Sequence, residues 1–319
     1  MLINILLMGT IYIIFYTNLR NMNFKRTITI FFISLIFILS IISPAKAEKI
    51  KDVNLLLGRN SCLWCDLSGA DLSNSNLKNA DMSYSDLSVS NLSDATITKV
   101  NLTYGELSYS NLKNADLGYS DLSHSNLSGA DLSNASLFKA NLSDSDLAFA
   151  NLSNTNLRQA RFSDWTGTAN LSGANLRNAN LKGSILKEVS LVKADLYNAN
   201  ISGDVDLSKA KLDRANLEKV VLIGANMEKA HLNHANLADT DLSYVNLHNA
   251  NLYDSNLKNS NLKSSNLENA ILSGAVLENA NLSGANLSNA NLKGAILSGA
   301  NLKGTILTGA IMPNGKIND

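Results

Sequence analysis

The side chains with the clearest potential for chemistry are two cysteines near the start of the polar part of the chain. Cys62 and Cys65 are the only cysteines and stand in a C-x-x-C spacing. Two thiols supply only half of the ligands of a structural zinc site, so we expect no metal there. Three interpretations stay open: a disulfide, two buried small apolar side chains, or a redox-active pair.

The four histidines do not form a convincing ligand set or catalytic group. His231 and His234 lie in one short stretch with His248 further on, and His124 stands apart from all three. Hydrolytic or redox chemistry needs a base, a nucleophile and a stabilising donor brought together. We therefore expect solvated histidines, no catalytic residue, no cofactor and no metal, and a protein that is not an enzyme.

A large aliphatic residue returns at every fifth position from Leu67 to Phe162. A small residue stands two positions earlier, as at Ala70 and Ala130, and Asp or Asn stands one position earlier, as at Asp71. A period of five matches neither the helical period of 3.6 nor the alternation of a strand. Regular turns are therefore needed to keep every large aliphatic side chain on one side.

Units such as Ala-Asp-Leu-Ser-Asn at 70–74 resemble the pentapeptide-repeat family, whose motif is A(D/N)LXX. The resemblance implies an all-β fold, a right-handed quadrilateral β-helix in which four units make one coil. The aliphatic residue and the preceding small residue would point inward, and about twelve coils would follow one another. It also implies that the Asp and Asn residues stabilise turns rather than bind calcium.

When the chain is folded at twenty residues, aromatic residues stack at outward positions. Trp64, Tyr84, Tyr104 and His124 fall on one face, and Tyr109 and Phe149 fall on the adjoining face with Val89. Exposed aromatic residues often mark an interface, so one hypothesis is a partner-binding stripe. The alternative is that the rings only stabilise successive coils as cross-strand neighbours.

The repeat predicts one β-helix over 62–312 after a capping segment at 48–61, with a tail at 313–319. Its register changes twice. Phe162 and Leu171 are separated by nine positions where two units would give ten, and Ile201 and Leu207 by six where one unit gives five. We expect irregular corners near 163–170 and 202–206. A domain boundary at 164–169 is the alternative.

Residues 1–47 have the parts of a secretory signal peptide: basic Lys25 and Arg26, an apolar run and the small-residue site Ala45-Lys46-Ala47. Cleavage after Ala47 is expected. Residues 1–21 are interpreted as a spurious extension of the reading frame. The alternative keeps the protein anchored in a membrane through residues 27–43.

The charge does not favour nucleic acid as a partner. Four of the 27 basic residues precede Glu48, which leaves 23 basic against 27 acidic residues, a net charge of −4. This field is too weak for a polyanion binder or a strong anion mimic. We expect an exported scaffold, in the periplasm or thylakoid lumen, that binds an unidentified protein, with a possible homodimer through the C-terminal coils. The alternatives are a DNA mimic that binds a topoisomerase and a thiol-redox protein.

Overall fold

In the part of the chain that the structure describes, one helix is followed by stacked turns of a β-helix. The computed structural model describes residues 44–203 and 205–319, with side chains described from Lys49 onward. The expected signal peptide at 1–47, its extension at 1–21 and the alternative anchor at 27–43 lie outside the described residues, except for the helical backbone from Pro44. In the described part of the chain, no helix has both the length and the apolar character needed to cross a bilayer.

Helix α1 spans Pro44–Arg59. The chain divides into two units, Met1–Lys51 and Asp52–Asp319, and the second contains the last turns of α1. There Leu56 is fully buried in the core, and Val53 and Leu55 pack against it. Asp52 accepts a hydrogen bond of 3.0 Å from the backbone amide of Asp66. The end of α1 thus lies against the first coil, within the segment expected to cap it.

Each five-residue unit is a tight turn followed by a single bridging residue. In the unit centred on Leu67, the amide of Ala70 donates to the carbonyl of Leu67 at 3.0 Å. The residue two positions after the central Leu, here Gly69, has a φ of 61°. A positive φ at the third residue of a turn is the geometry of a type II turn. It explains why Gly and Asn recur at this position, which is here called the turn position.

Successive coils are joined by parallel bridges between residues twenty positions apart, as in Asp66↔Asp86 and Asp86↔Glu106. In the described residues these bridges are isolated pairs, so the β-structure is a stack of short contacts rather than of long strands. Three backbone hydrogen bonds per unit join one coil to the next. The amides of Leu67 and Gly69 donate to the carbonyls of Asp86 and Ser88 at 2.7 and 2.8 Å, and the amide of Asp86 donates to the carbonyl of Cys65 at 2.9 Å. The fold is therefore a β-helix with four units to a coil.

The core is a narrow ladder of the inward residues. The central large apolar side chains from Leu67 to Leu292, among them the aromatic Phe162, are at most 2% exposed, and nearly all the inward alanines are buried as well. Each buried Leu contributes roughly 1.5–3 kcal/mol of transfer free energy before entropy is counted. Because each coil stacks only on the coil before it and the coil after it, its stability depends mainly on those two neighbours.

The first irregular corner is an inserted loop and differs from the sequence interpretation. Asp146 bridges to Asn170 and Arg161 to Ile185, so this coil contains 24 residues instead of twenty. Ser163 and Thr168 form an antiparallel bridge, and the amide of Asp164 donates to the carbonyl of Gly167 at 3.1 Å. The nine-residue spacing is thus one unit with four extra residues, and not two units with one residue missing. Parallel bridges continue on both sides of this loop.

The second irregular corner adds one residue. Ile185 bridges to Asp206 and Asn200 to Val221, a separation of 21 residues. The two corners together lengthen the path by five residues, which equals one unit. From Leu207 onward the central residues therefore fall again on the five-residue count that began at Leu67. A given face of the β-helix is nevertheless reached one unit later than a count by twenties would place it.

The C-terminal tail folds back on the last coil, where no cap was foreseen. Ile317 forms an antiparallel bridge with Ile311, and Asn318 donates to the carbonyl of Ala310 at 2.8 Å. Gly315, with a φ of 82°, allows the reversal of the chain. The hairpin covers only part of the end, because Leu302 and Ile306 stay exposed.

Candidate interaction surface

Trp64, Tyr84, Tyr104 and His124 form a continuous stack, here called the aromatic column. Each occupies one of the four turn positions of its coil, on the same face each time. A coil of twenty residues therefore places the rings directly above one another. The centroid distances are 4.3, 4.9 and 4.6 Å, and the planes are within 10° of parallel. The four stripe residues predicted for this face are brought together.

The column ends on a carboxylate. Nδ1 of His124 lies 3.0 Å from Oδ2 of Asp144, the turn-position residue of the next coil. Gly167 of the inserted loop approaches Asp144 so closely that no side chain would fit there. The aromatic column and the inserted loop are therefore neighbours on the β-helix.

Aromatic residues are uncommon at turn positions, where Gly and Asn recur most often. The aromatic column has φ values of 58–60°, a conformation that costs a non-glycine residue about 1–2 kcal/mol. Each stacked contact returns about 0.5–1.5 kcal/mol, and there is one contact fewer than there are rings. Trp64, Tyr84 and Tyr104 are 73%, 41% and 50% exposed. The same φ recurs at turn positions throughout the repeat, for example at Lys99 and Asn114, so the exposed aromatic surface, and not the backbone strain, sets the aromatic column apart.

A second series, here called the apolar column, runs along the adjoining face. It contains Val89, Tyr109, Gly129, Phe149 and Gly173 at turn positions. The Tyr109 ring occupies the space that a side chain at Gly129 would fill, and Phe149 does the same at Gly173. Tyr109 and Phe149 are nevertheless 71% and 74% exposed, so one side of each ring faces solvent.

Cys62 and Cys65 flank Trp64 at the base of the aromatic column. They form a disulfide with a Cα–Cα separation of 5.6 Å, and both side chains are buried. One carboxylate, that of Asp52, lies within reach of both sulfurs. Sulfurs bonded to each other are not thiolates, so this group does not match the four-ligand set of a structural zinc site.

Two of the three remaining histidines, His234 and His248, each lie near a separate acid. Nδ1 of His234 is 3.9 Å from Asp254, and Nδ1 of His248 is 3.7 Å from Glu268. The His234 ring also packs edge-on against Tyr253 at 5.6 Å. None of these arrangements in the described residues places a nucleophile, a base and an oxyanion donor around one point.

The inserted loop borders a cavity of about 380 Å³ that sequence reasoning missed. It is lined by Ser163, Asp164, Trp165, Thr168, Ile185, Lys187 and Glu188. Trp165 is 95% exposed. The hydroxyl and amide of Thr166 donate to the carboxylate of Asp164 and hold its pKa below the ordinary value. Glu188 pairs with Lys209 at 2.9 Å, which lowers the pKa of the acid and raises that of the amine.

The repeat matches a known family along most of its length. The family model described as Pentapeptide repeats matches 65–103, 106–144, 125–164, 169–203 and 270–309, and the model described as Pentapeptide repeat region matches 203–272. The chain belongs to the pentapeptide-repeat family. Membership supports the right-handed winding expected from the sequence.

Three solved pentapeptide-repeat structures illustrate the similarity. HetL from the cyanobacterium Nostoc sp. strain PCC 7120, involved in heterocyst differentiation regulation, is 30% identical, with 83% of this chain and 97% of that chain covered and a TM-score of 0.33. QnrB1, a plasmid-mediated fluoroquinolone resistance protein, is 20% identical, with 58% and 88% covered and a TM-score of 0.27. A protein of the Arabidopsis thaliana thylakoid lumen is 22% identical, with 47% and 66% covered and a TM-score of 0.16.

These TM-scores are low, so membership of the family rests on the repeat itself. Comparison with curated proteins gives no match. Within the pentapeptide-repeat region, residues 165–168 fall between two matched segments. The loop that carries Trp165 is therefore a departure of this chain from the family's repeat.

Proposed function

We propose that this protein is a non-catalytic scaffold that binds a protein partner through the aromatic and apolar columns. The observation that carries the proposal is the set of exposed rings at turn positions, where backbone strain makes Gly or Asn the easier choice. The alternative, a purely structural stack, explains the contacts between rings but not the aromatic surface that they leave exposed.

We further propose that the protein works in an exported compartment, the periplasm or the thylakoid lumen. Two features support this: the signal-like segment 1–47 and a disulfide, which persists mainly in oxidising compartments. The burial of Cys62 and Cys65 does not favour a thiol-redox role, because a substrate thiol must reach the sulfur. The weak net charge does not favour a DNA mimic.

Site-specific photocrosslinking tests the interface. A photoreactive phenylalanine derivative replaces Tyr109 in one variant and Tyr244 in the control, since both tyrosines are exposed at turn positions with φ values of 56° and 60°. We expect a partner adduct in native extracts from position 109 and none from position 244. Tyr84→Asn with Tyr104→Asn should reduce that adduct. Equal adducts from both positions, or none from either, would refute the proposed interface.

N-terminal sequencing of the protein from its native source tests the export proposal. A first residue of Glu48 is expected. A start at any earlier residue would contradict cleavage after Ala47.

A further inference from the structure

Over the four coils from residue 81 to residue 160, two adjacent faces of the β-helix differ in charge from the other two. Bridges align Asp81 with Asn101, Asp121 and Asn141, and Asp86 with Glu106, Asn126 and Asp146. The half-coils 81–90, 101–110, 121–130 and 141–150 therefore stack on two adjacent faces, here called the acidic surface. They hold six acids and neither Lys nor Arg: Asp81, Asp86, Glu106, Asp121, Asp144 and Asp146.

The other two faces of the same coils are nearly neutral. The half-coils 91–100, 111–120, 131–140 and 151–160 hold three acids and four basic residues: Asp94, Asp116, Asp131, Lys99, Lys113, Lys139 and Arg158. The two sides thus carry −6 and +1, although the whole chain has no net formal charge. None of the six acids is buried. This asymmetry is invisible in the overall charge.

The described part of the chain offers no Lys or Arg partner to these six acids. Elsewhere, acids have basic neighbours in the protein, as in Arg177–Asp195 at 2.9 Å and Lys258–Glu278 at 3.0 Å. On the acidic surface the one ion pair joins Asp144 to His124. Amide donors hold several of these carboxylates in place, as Ser88 holds Asp86 at 2.8 Å, but a neutral donor does not remove the charge.

The acids lie between the aromatic side chains. Asp86 and Glu106 follow Tyr84 and Tyr104 of the aromatic column by two residues and precede Val89 and Tyr109 of the apolar column by three. The rings of the aromatic column stack on one another, so few of their faces are free. The outer faces of Tyr109 and Phe149 remain open to solvent.

We infer that the acidic surface binds an extended, arginine-rich peptide segment of the partner, an inference that rests on the proposed function. Charge complementarity requires a cationic occupant, and an open ring beside a carboxylate suits a guanidinium, which stacks on aromatic faces and pairs with carboxylates. With coils about 4.8 Å apart, four coils span about 14 Å, the length of about four extended residues.

The test uses full-length protein and a labelled peptide of four Arg-Gly repeats, measured by fluorescence anisotropy at low and high ionic strength. Asp86→Asn with Glu106→Gln removes two charges and keeps the acceptor oxygens. We expect binding weakened about threefold to tenfold, and lost at high salt. The matched control, Asp94→Asn with Asp116→Asn, removes two charges from the other faces and should change affinity less than about twofold.

The outcomes separate this inference from the proposed function. Equal weakening in both double variants, or equal binding of a Glu-Gly peptide, would overturn the acidic surface as the site. If the Arg-Gly peptide does not bind while the crosslink from position 109 persists, the cationic occupant is wrong and the interface stands. If the crosslink from position 109 is also absent, the proposed interface itself is refuted, whatever the charge of its occupant.

Discussion

The contact between Tyr109 and Gly129 allows a quantitative test of how the exposed rings are held. Gly129 has a φ of 66°, and a Cβ placed on it would lie 2.6 Å from Cε1 of Tyr109. Gly129→Ala therefore combines two penalties: backbone strain and a clash with the ring. Gly224 has a φ of 72° with nothing within 4 Å of an added Cβ, so Gly224→Ala carries the strain alone.

The magnitudes follow from these two penalties. Backbone strain at a left-handed residue costs about 1–2 kcal/mol, which is the expected effect of Gly224→Ala. Overpacking adds about 1–3 kcal/mol, so Gly129→Ala should cost about 2–5 kcal/mol, with the low end reached if the ring swings into solvent. In a Tyr109→Ser background, Gly129→Ala should cost no more than Gly224→Ala does.

The assay is urea unfolding followed by circular dichroism, with all variants compared in one protocol. Because repeat chains depart from two-state unfolding, hydrogen exchange of the Gly129 amide, which bonds to Ala148 at 2.9 Å, serves as the local readout. Equal costs for Gly129→Ala and Gly224→Ala, with no effect of Tyr109→Ser, would refute the reasoning. The Tyr109 ring would then not be packed on the next coil.

Four further predictions address other parts of the chain. Val89→Asn should stabilise the protein by about 1 kcal/mol in urea unfolding, because a β-branched residue at a φ of 57° is strained. Val192→Asn, one residue before a turn position and without a positive φ, should give no such gain. The Cys62–Cys65 disulfide closes a loop of only four residues, so its reduction should lower the free energy of unfolding by at most about 2 kcal/mol. The effect should appear as faster hydrogen exchange confined to the first coil. The Asp164 carboxyl should titrate by NMR below its ordinary pKa, so that its stabilising contribution is present at neutral pH and lost as the pH falls through the lowered pKa, and Thr166→Ala should raise that midpoint. The exposed Ile296, Leu302 and Ile306 are the expected contact of a homodimer through the C-terminal coils. In light scattering, the native protein should then have the mass of a dimer and the Ile306→Lys variant that of a monomer. Identical masses for the two proteins would argue against this contact.

The period of five was sufficient to predict the core. Once the repeating Leu and Ala positions are recognised, residues such as Leu132 and Ala130 must point to the inside of the coil, and both are fully buried. The stacking of Tyr84 on Tyr104 followed from the same count of twenty residues per coil. These inferences need only local periodicity, which the sequence displays directly.

The inserted loop could not be predicted in the same way. A spacing of nine residues between Phe162 and Leu171 fits both two units with one residue missing and one unit with four extra residues. The bridges between coils, such as Asp146↔Asn170, distinguish the two, and the sequence does not display them. The cavity beside Trp165 depends on that choice. The C-terminal hairpin had a readable signal, the Asn314-Gly315 pair typical of tight reversals, which the regular repeat before it obscured.

The two irregular coils also alter how the two halves of the chain can be aligned. The two coils together contain five extra residues, which is one unit. Arg161 therefore lies on the same face as Asp206, 45 positions later, because Arg161 bridges to Ile185 and Ile185 bridges to Asp206. A count by twenties would assign Tyr244 to the aromatic column with Tyr84 and Tyr104. The bridges Asn156↔Asn180, Asn180↔Asn200, Asn200↔Val221 and Val221↔Asp241 place it instead in the column of Tyr119, a quarter turn away. A surface motif that is transplanted from one half of the chain to the other must therefore be moved by one five-residue unit. A chimera that only keeps the five-residue repeat in register would present the motif on the wrong face.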